Sequence, residues 1–339
     1  RSETVWNPGW KPCKTALDSY ECRHGMNYTR ITGAKNGVEA SVLFFVPLKT
    51  WAEVQKLTLK NTSNEVKRLK LFSFTEWCLW NAATDMENFQ RNWSTGEVEI
   101  ENGGATIYHK TEYKERRNHY AYYALTNGKA DGYDTDRESF IGLYNDFSNP
   151  QCVMAGKPAN SLAHGWSPIA SQYIEVTLQP GESKDFIFLL GYVENEQEEK
   201  FSAEDIERKR KGELISSQDS DVTLVNKRKA HDTIARFSTV EAVDAALAEL
   251  RLMWDGLLSK YTVESSDERL NRMVNIWNQY QCMITFCFSR SASFFESGVG
   301  RGMGFRDSNQ DHVGFVHQVP SRARQRIIDI ASTQFPDGG

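Results

Sequence analysis

What most constrains this chain is a change of period part-way along it. Val38-Glu39-Ala40-Ser41-Val42-Leu43-Phe44 and Val54-Gln55-Lys56-Leu57-Thr58-Leu59 alternate, or nearly so, as half-buried strands do. Runs at 68–75, 97–100, 106–109, 120–122, 173–176 and 185–190 continue the series. Asn61-Thr62-Ser63-Asn64, Gly103-Gly104, Asn127-Gly128 and Pro180-Gly181 supply turn chemistry between them. Many short strands with no helical period between them predict an antiparallel β-sandwich over residues 1–195 rather than an α/β fold.

After Glu194 the pattern changes. Residues 195–211 are a dense mixed-charge stretch, a solvated linker or an exposed helix. From Ser238 the period is helical. Ser238-Thr239-Val240-Glu241 has the form of a capping box and opens a run with Val243, Leu247, Leu250, Trp254 and Leu257. Ser265-Ser266-Asp267-Glu268 is a second such box. The helix it predicts over 267–289 is apolar on two faces, one with Leu270, Val274, Trp277 and Ile284, the other with Met273, Ile276, Tyr280, Met283 and Cys287. A helix apolar nearly all round is a buried one that further helices must cover. Pro320 is placed to open another. The sequence thus predicts a multidomain β + α chain: a sandwich (1–195), a helical linker (196–262) and the start of a larger helical domain (263–339). It also predicts a fragment, since these helices cannot close a core and Arg1-Ser2-Glu3 lacks an initiator methionine.

Composition excludes some functions. Lys and Arg total 40 against 45 Asp and Glu, a net charge of −5, which gives no electrostatic footprint for nucleic acid. The longest apolar runs, 42–46 and 186–190, are far shorter than the roughly 18 residues of a membrane helix. Six cysteines, at 13, 22, 78, 152, 282 and 287, form no compact framework. Cys78, Cys282 and Cys287 sit in apolar runs and read as buried free thiols. The sequons at Asn27, Asn61 and Asn92 are short enough to arise by chance, no signal peptide precedes them, and a cytoplasmic location is expected. No metal-ligand motif occurs, and His312 and His317 are badly spaced for one helix face, so no metal is expected.

Two polar clusters remain. Gly298-Val299-Gly300-Arg301-Gly302-Met303-Gly304 fails both the dinucleotide fingerprint and the P-loop, yet glycine at every second position allows close backbone approach to a ligand. Arg301, Arg306, Asp307, Gln310 and Asp311 follow among Phe305 and Phe315. Planar charged groups of this kind bind vicinal sugar hydroxyls in pairs while aromatic faces pack on the C–H surface. On composition alone, an ion pair such as Arg306–Asp307 or Arg301–Asp311 explains them equally well. The second cluster, Asn88-Phe89-Gln90-Arg91-Asn92-Trp93, falls in a stretch between strands.

These strings carry a resemblance. Trp10-Lys11-Pro12, Asp18-Ser19-Tyr20-Glu21-Cys22-Arg23-His24-Gly25, Asn88–Asn92, Asn275-Ile276-Trp277-Asn278-Gln279-Tyr280-Gln281-Cys282 and Gly302–Asp311 are similar to the inverting disaccharide phosphorylases, and most of all to those acting on cellobiose. The resemblance runs from Arg1 to Gly339. It implies a β-sandwich, a helical linker, an (α/α)6 barrel and a small C-terminal β-domain, of which this chain would hold the first two and the opening barrel helices. It implies reversible phosphorolysis of cellobiose to α-glucose 1-phosphate and glucose, with inorganic phosphate as co-substrate and no cofactor. An inverting displacement needs one carboxylic acid for the leaving oxygen, while phosphate serves as nucleophile in place of activated water. In the family that aspartate and the phosphate contacts lie further along, so no catalytic residue is expected here and the fragment alone should be inactive. Arg301 and Asp307 match the residues that bind the glucosyl unit. Gln90 and Arg91 match those that reach the neighbouring subunit's site in a homodimer.

Two other functions fit the organisation. A glucoamylase-like inverting hydrolase would use the same barrel with two carboxylates and water. A non-catalytic carbohydrate-binding module would use the sandwich alone.

Overall fold

The structure, a computed structural model, describes residues 4–77, 96–101, 106–110, 118–163, 168–196, 199, 203–211, 225–288 and 304–338. The chain divides into two compact units, Arg1–Leu247 and Ala248–Gly339.

The first unit is the antiparallel sandwich that the period-two pattern predicts. Its larger sheet contains β1 (Ser19–Gly25), β2 (Tyr28–Lys35), β3 (Val38–Phe45), β4 (Ala52–Asn61), β7 (Gly96–Ile100), β8 (Thr106–Lys110), β9 (His119–Leu125) and β12 (Ser183–Glu194). They lie in the order β1-β2-β3-β4-β12-β9-β8-β7. The smaller sheet places β11 (Pro168–Leu178) between β10 (Gly132–Asp136) and β5 (Lys67–Phe72), with β6 (Thr75–Glu76) also paired to β11. Alternation sets the interior: Ala40, Leu57, Leu59, Ala121, Tyr123 and Phe188 from the larger sheet pack with Ala170, Ile174, Val176 and Leu178 of β11.

Both sheets are also covered outside. Helices α1 (Arg137–Ile141) and α2 (Gln151–Ala155) lie between β10 and β11, where the sequence predicts no helix. Each is a five-residue helix, too short to show a period. Phe140, Ile141 and Cys152 bury Ile169 on the outer side of β11, and burial raises the Cys152 thiol to about 11. Across the larger sheet lies α4 (Arg228–Arg236), which follows α3 (Ala203–Arg210). The Tyr122 hydroxyl meets Thr233, Thr126 Oγ1 donates to the Phe237 carbonyl at 2.6 Å, and Lys227 pairs with Glu99.

α5 (Val240–Leu258) starts one residue later than the capping-box pattern predicts, because Thr239 Oγ1, not Ser238, accepts from the Ala242 N–H, at 3.2 Å. In the second unit the predicted long helix comprises α6 (Glu268–Arg272), a π-helical stretch (Met273–Asn278) and α7 (Gln279–Phe288). Its cap is Asp267, in extended conformation, whose carboxylate accepts from the Arg269 and Leu270 N–H groups. The wide turns loosen backbone pairing, and the buried Gln279 amide donates to the Val274 and Asn275 carbonyls there. Met283 and Phe286 are buried, but Leu270, Met273 and Cys287 are exposed. The expected burial of both faces therefore does not hold among the described residues, since each face keeps exposed apolar side chains. α8 (Phe305–Asp311) and α9 (Pro320–Ala331) follow, the latter opened by Pro320 as its sequence predicts.

Cys13, Cys22, Cys152, Cys282 and Cys287 are free thiols. Cys78, the Asn92 sequon and the Gly103-Gly104 turn lie outside the described residues.

Candidate functional site

Of the four residues expected to touch sugar, the described residues include Asp307. Arg301, Gln90 and Arg91 lie outside them, as do the glycine-rich stretch before Gly304 and the 88–93 cluster. Asp307 sits in the first turn of α8, after Gly304 in extended conformation at the N-cap, and its side chain is 25% exposed. Arg306 donates to Asp307 Oδ1 from Nε at 3.3 Å and from Nη2 at 3.2 Å. That guanidinium is 89% exposed, so the pair is screened and contributes little to stability. A partner this exposed can exchange for a hydroxyl donor at small cost.

The wall behind α8 is buried and aromatic. Phe315 is fully buried against Phe286, with ring centroids 4.3 Å apart. The Arg322 and Arg326 guanidinium groups lie over the Phe286 ring at 5.6 and 4.4 Å. His312 is buried beside them, its Nδ1 3.2 Å from the Asn309 carbonyl. Gly314 passes so close to α7 that a Cβ there would meet Cys282 Sγ at 2.5 Å. Burial, and then Asp311, push the Cys282 thiol above its ordinary value, so Asp311 lies near α7. Asp307 and Asp311 are four residues apart and share a helix face. The chemistry available is hydroxyl acceptance by a helix-mounted carboxylate on a packed support.

Among the described residues no group of three or more His, Cys, Asp or Glu could hold a metal ion, and no helix is long and apolar enough to cross a membrane. The sequence reading missed a groove at one end of the sandwich, lined in part by Trp51, Glu53, Glu76 and Tyr192. Its signal was Trp51-x-Glu53, which continues the inward alternation of β4 past the apolar residues.

Comparison with known proteins agrees with this architecture. Residues 1–209 match the family model "Glycosyl hydrolase 94, supersandwich domain", and residues 253–339 match "Glycosyl hydrolase 94 superfamily, catalytic domain". The chain belongs to the glycosyl hydrolase 94 family: an N-terminal antiparallel sandwich followed by helices that match the start of the family's catalytic barrel. It is 30% identical to an N,N'-diacetylchitobiose phosphorylase of Vibrio proteolyticus, over 99% of this chain and 38% of that protein. A second enzyme of that name, from Vibrio furnissii, is 29% identical over 98% and 38%. A solabiose phosphorylase of Paenibacillus borealis is 27% identical over 98% and 38%. The chain thus spans 38% of the length of each of these relatives.

Proposed function

We propose that this chain is the sandwich and barrel-opening portion of an inverting disaccharide phosphorylase. The observation that carries the reading is the match to the two glycosyl hydrolase 94 models, in order along the chain, together with relatives named as phosphorylases that align over 98–99% of it. In this reading residues 196–262 link the sandwich to the barrel. The general acid and the phosphate contacts belong to the part of the relatives' length that this chain does not span. Phosphate, already an anion, attacks the anomeric carbon from the face opposite the leaving oxygen, so one carboxylic acid suffices. No cofactor takes part.

Arg301 and Asp307 grip the glucosyl unit, the carboxylate accepting hydroxyls rather than supplying the proton. Gln90 and Arg91 reach the site of the other subunit in a cytoplasmic homodimer. We take the disaccharide to be cellobiose, on the strings Asp18–Gly25 and Gly302–Asp311. The test is phosphorolysis by the full-length polypeptide, with cellobiose, N,N'-diacetylchitobiose and solabiose compared at equal concentration. Cellobiose should give the highest kcat/KM; a clear preference for either of the others would overturn the substrate assignment and leave the reaction class standing.

A further inference from the structure

At one end of the sandwich the inner face of the larger sheet outruns the hydrophobic core. Leu57 and Leu59 of β4 lie in that core, and the same alternation carries Glu53 inward further along the strand, with Trp51 just before it. The surroundings agree, since Glu53 contributes to the upward shift of the core phenol Tyr123, whose main cause is burial. Beyond the core the two sheets part around a groove of about 400 Å3. Trp51, Glu53, Leu190 and Tyr192 line one side, and Glu76 and Trp77 the other.

The lining has a chemical character. Trp51 is 82% exposed, although a side chain of this size normally goes inside. Its backbone is nevertheless fixed, the Tyr192 N–H donating to the Trp51 carbonyl at 3.0 Å, so the ring is displayed from a paired strand end. Gln55 Nε2 donates to Glu53 Oε1 at 2.8 Å, and Arg137 Nε holds Glu76 Oε1 at 3.1 Å. The carboxylates are thereby oriented, and Glu53 Oε2 has lone pairs left to accept hydroxyls. The described lining residues include no lysine or arginine, and the nearby Arg137 and Arg236 are held by Glu76 and by Thr50 Oγ1.

We propose that this groove binds a neutral saccharide. The indole of Trp51 packs on the C–H face of a pyranose ring, and Glu53 and Glu76 accept its hydroxyls. The volume lies within the usual range for small-ligand sites. Two carboxylates in the described lining, one of them only partly neutralised by Arg137, favour hydroxyl donors over the anionic sugar phosphates. The described lining does not include Asp307, and a binding titration is independent of the phosphorolysis test.

The experiment is calorimetric titration of the present chain with cellobiose and, separately, with α-glucose 1-phosphate. Trp51→Ala and Trp51→Phe are compared with the parent chain, all three carrying Asp307→Asn so that the proposed glucosyl contact is removed. Cellobiose should bind saturably, ~tenfold or more weaker with Trp51→Ala and with affinity largely restored by Trp51→Phe. α-Glucose 1-phosphate should show no saturation. Trp51 is too exposed for its truncation to unfold the sandwich, and circular dichroism verifies this. Absence of saturable cellobiose binding, equal affinity with Trp51→Ala, or equal binding of the sugar phosphate would each overturn the assignment.

Discussion

Asn61 is fully buried, and its amide is consumed by the backbone around it. Nδ2 donates to the carbonyls of Glu65 at 2.7 Å and of Leu178 and Gln179 at 3.1 Å, while Oδ1 accepts from Ser63 N at 3.0 Å and Ser63 Oγ at 2.8 Å. The sequence marks this residue as a sequon and a turn. Only the turn is compatible with the structure, because a glycan on Nδ2 would displace these donors. The ties to Leu178 and Gln179 cross more than a hundred residues and no local pattern could show them. Asn61→Ala should destabilise the sandwich by about 3 kcal/mol, since it leaves buried carbonyls without a donor. The shift appears as a lower denaturant midpoint at unchanged slope. A loss below about 0.5 kcal/mol would contradict the role given to this amide. Asp307 differs in legibility: its residue type and its neighbours Arg306 and Asp311 were readable, but not which pair forms. Adjacent in the chain, Arg306 closes on Asp307 from the first turn of α8.

At the scale of elements, strands were legible where polar residues interrupt the apolar ones at every second position or nearly so. β3 and β4 alternate in this way. Ala40, Leu57 and Leu59 enter the core, and although Leu43, Phe45 and Val54 are buried on the opposite face, Glu39, Ser41, Lys56 and Thr58 keep the pattern mixed. β9 did not, and just 120–122 read as strand, because His119–Leu125 is buried on both faces between the core and α4. β1 and β2 were missed for the opposite reason. They lie toward the sheet edge, and β1 is largely exposed along its length. Their neighbourhood did carry an unused signal: Asn36-Gly37, with φ of 52° and 76°, is the two-residue turn that joins β2 to β3. The burial of β9 has a consequence at high pH. Burial pushes the Tyr122 phenol up to about 12 from the ordinary 10.0, a hydrogen bond from Thr233 offsetting it in part, and burial raises Tyr120 and Tyr123 as well. A neutral phenol favoured in the folded state gives stability that is complete below pH 10 and lost as the pH rises through 12. Phenolate absorbance should therefore show a late class of tyrosines that ionises together with loss of the sandwich circular dichroism. If all tyrosines titrate near 10 with the fold intact, the burial of β9 is wrong.

For the whole molecule, the switch of period near residue 194 was legible as a change of architecture, but the span of the first compact unit was not. It runs to Leu247 because α4 and the start of α5 pack on the sandwich, with Lys56 Nζ 2.8 Å from Asp244. A charged linker pattern cannot reveal what it lies against. The proposed homodimer has its own test, in which Arg91→Ala and Asp307→Asn each cripple the full-length enzyme while leaving its fold intact. Mixed in one dimer, they should regenerate one whole site on that proposal, with an intact Asp307 from the first subunit and an intact Arg91 from the second. With random exchange, about half the dimers are mixed and one of their two sites works, so recovery approaches roughly a quarter of wild type. No recovery after verified subunit exchange would mean that Arg91 serves its own subunit or none.

The central claim is that phosphate replaces water at the anomeric carbon. The most direct measurement is proton and phosphorus NMR of the full-length polypeptide with cellobiose, with and without inorganic phosphate, read before mutarotation and reverse reaction blur the products. With phosphate, equal amounts of α-glucose 1-phosphate and glucose should appear; without it, cellobiose should persist. Glucose released at the same rate in the absence of phosphate would make the protein a hydrolase and contradict the account.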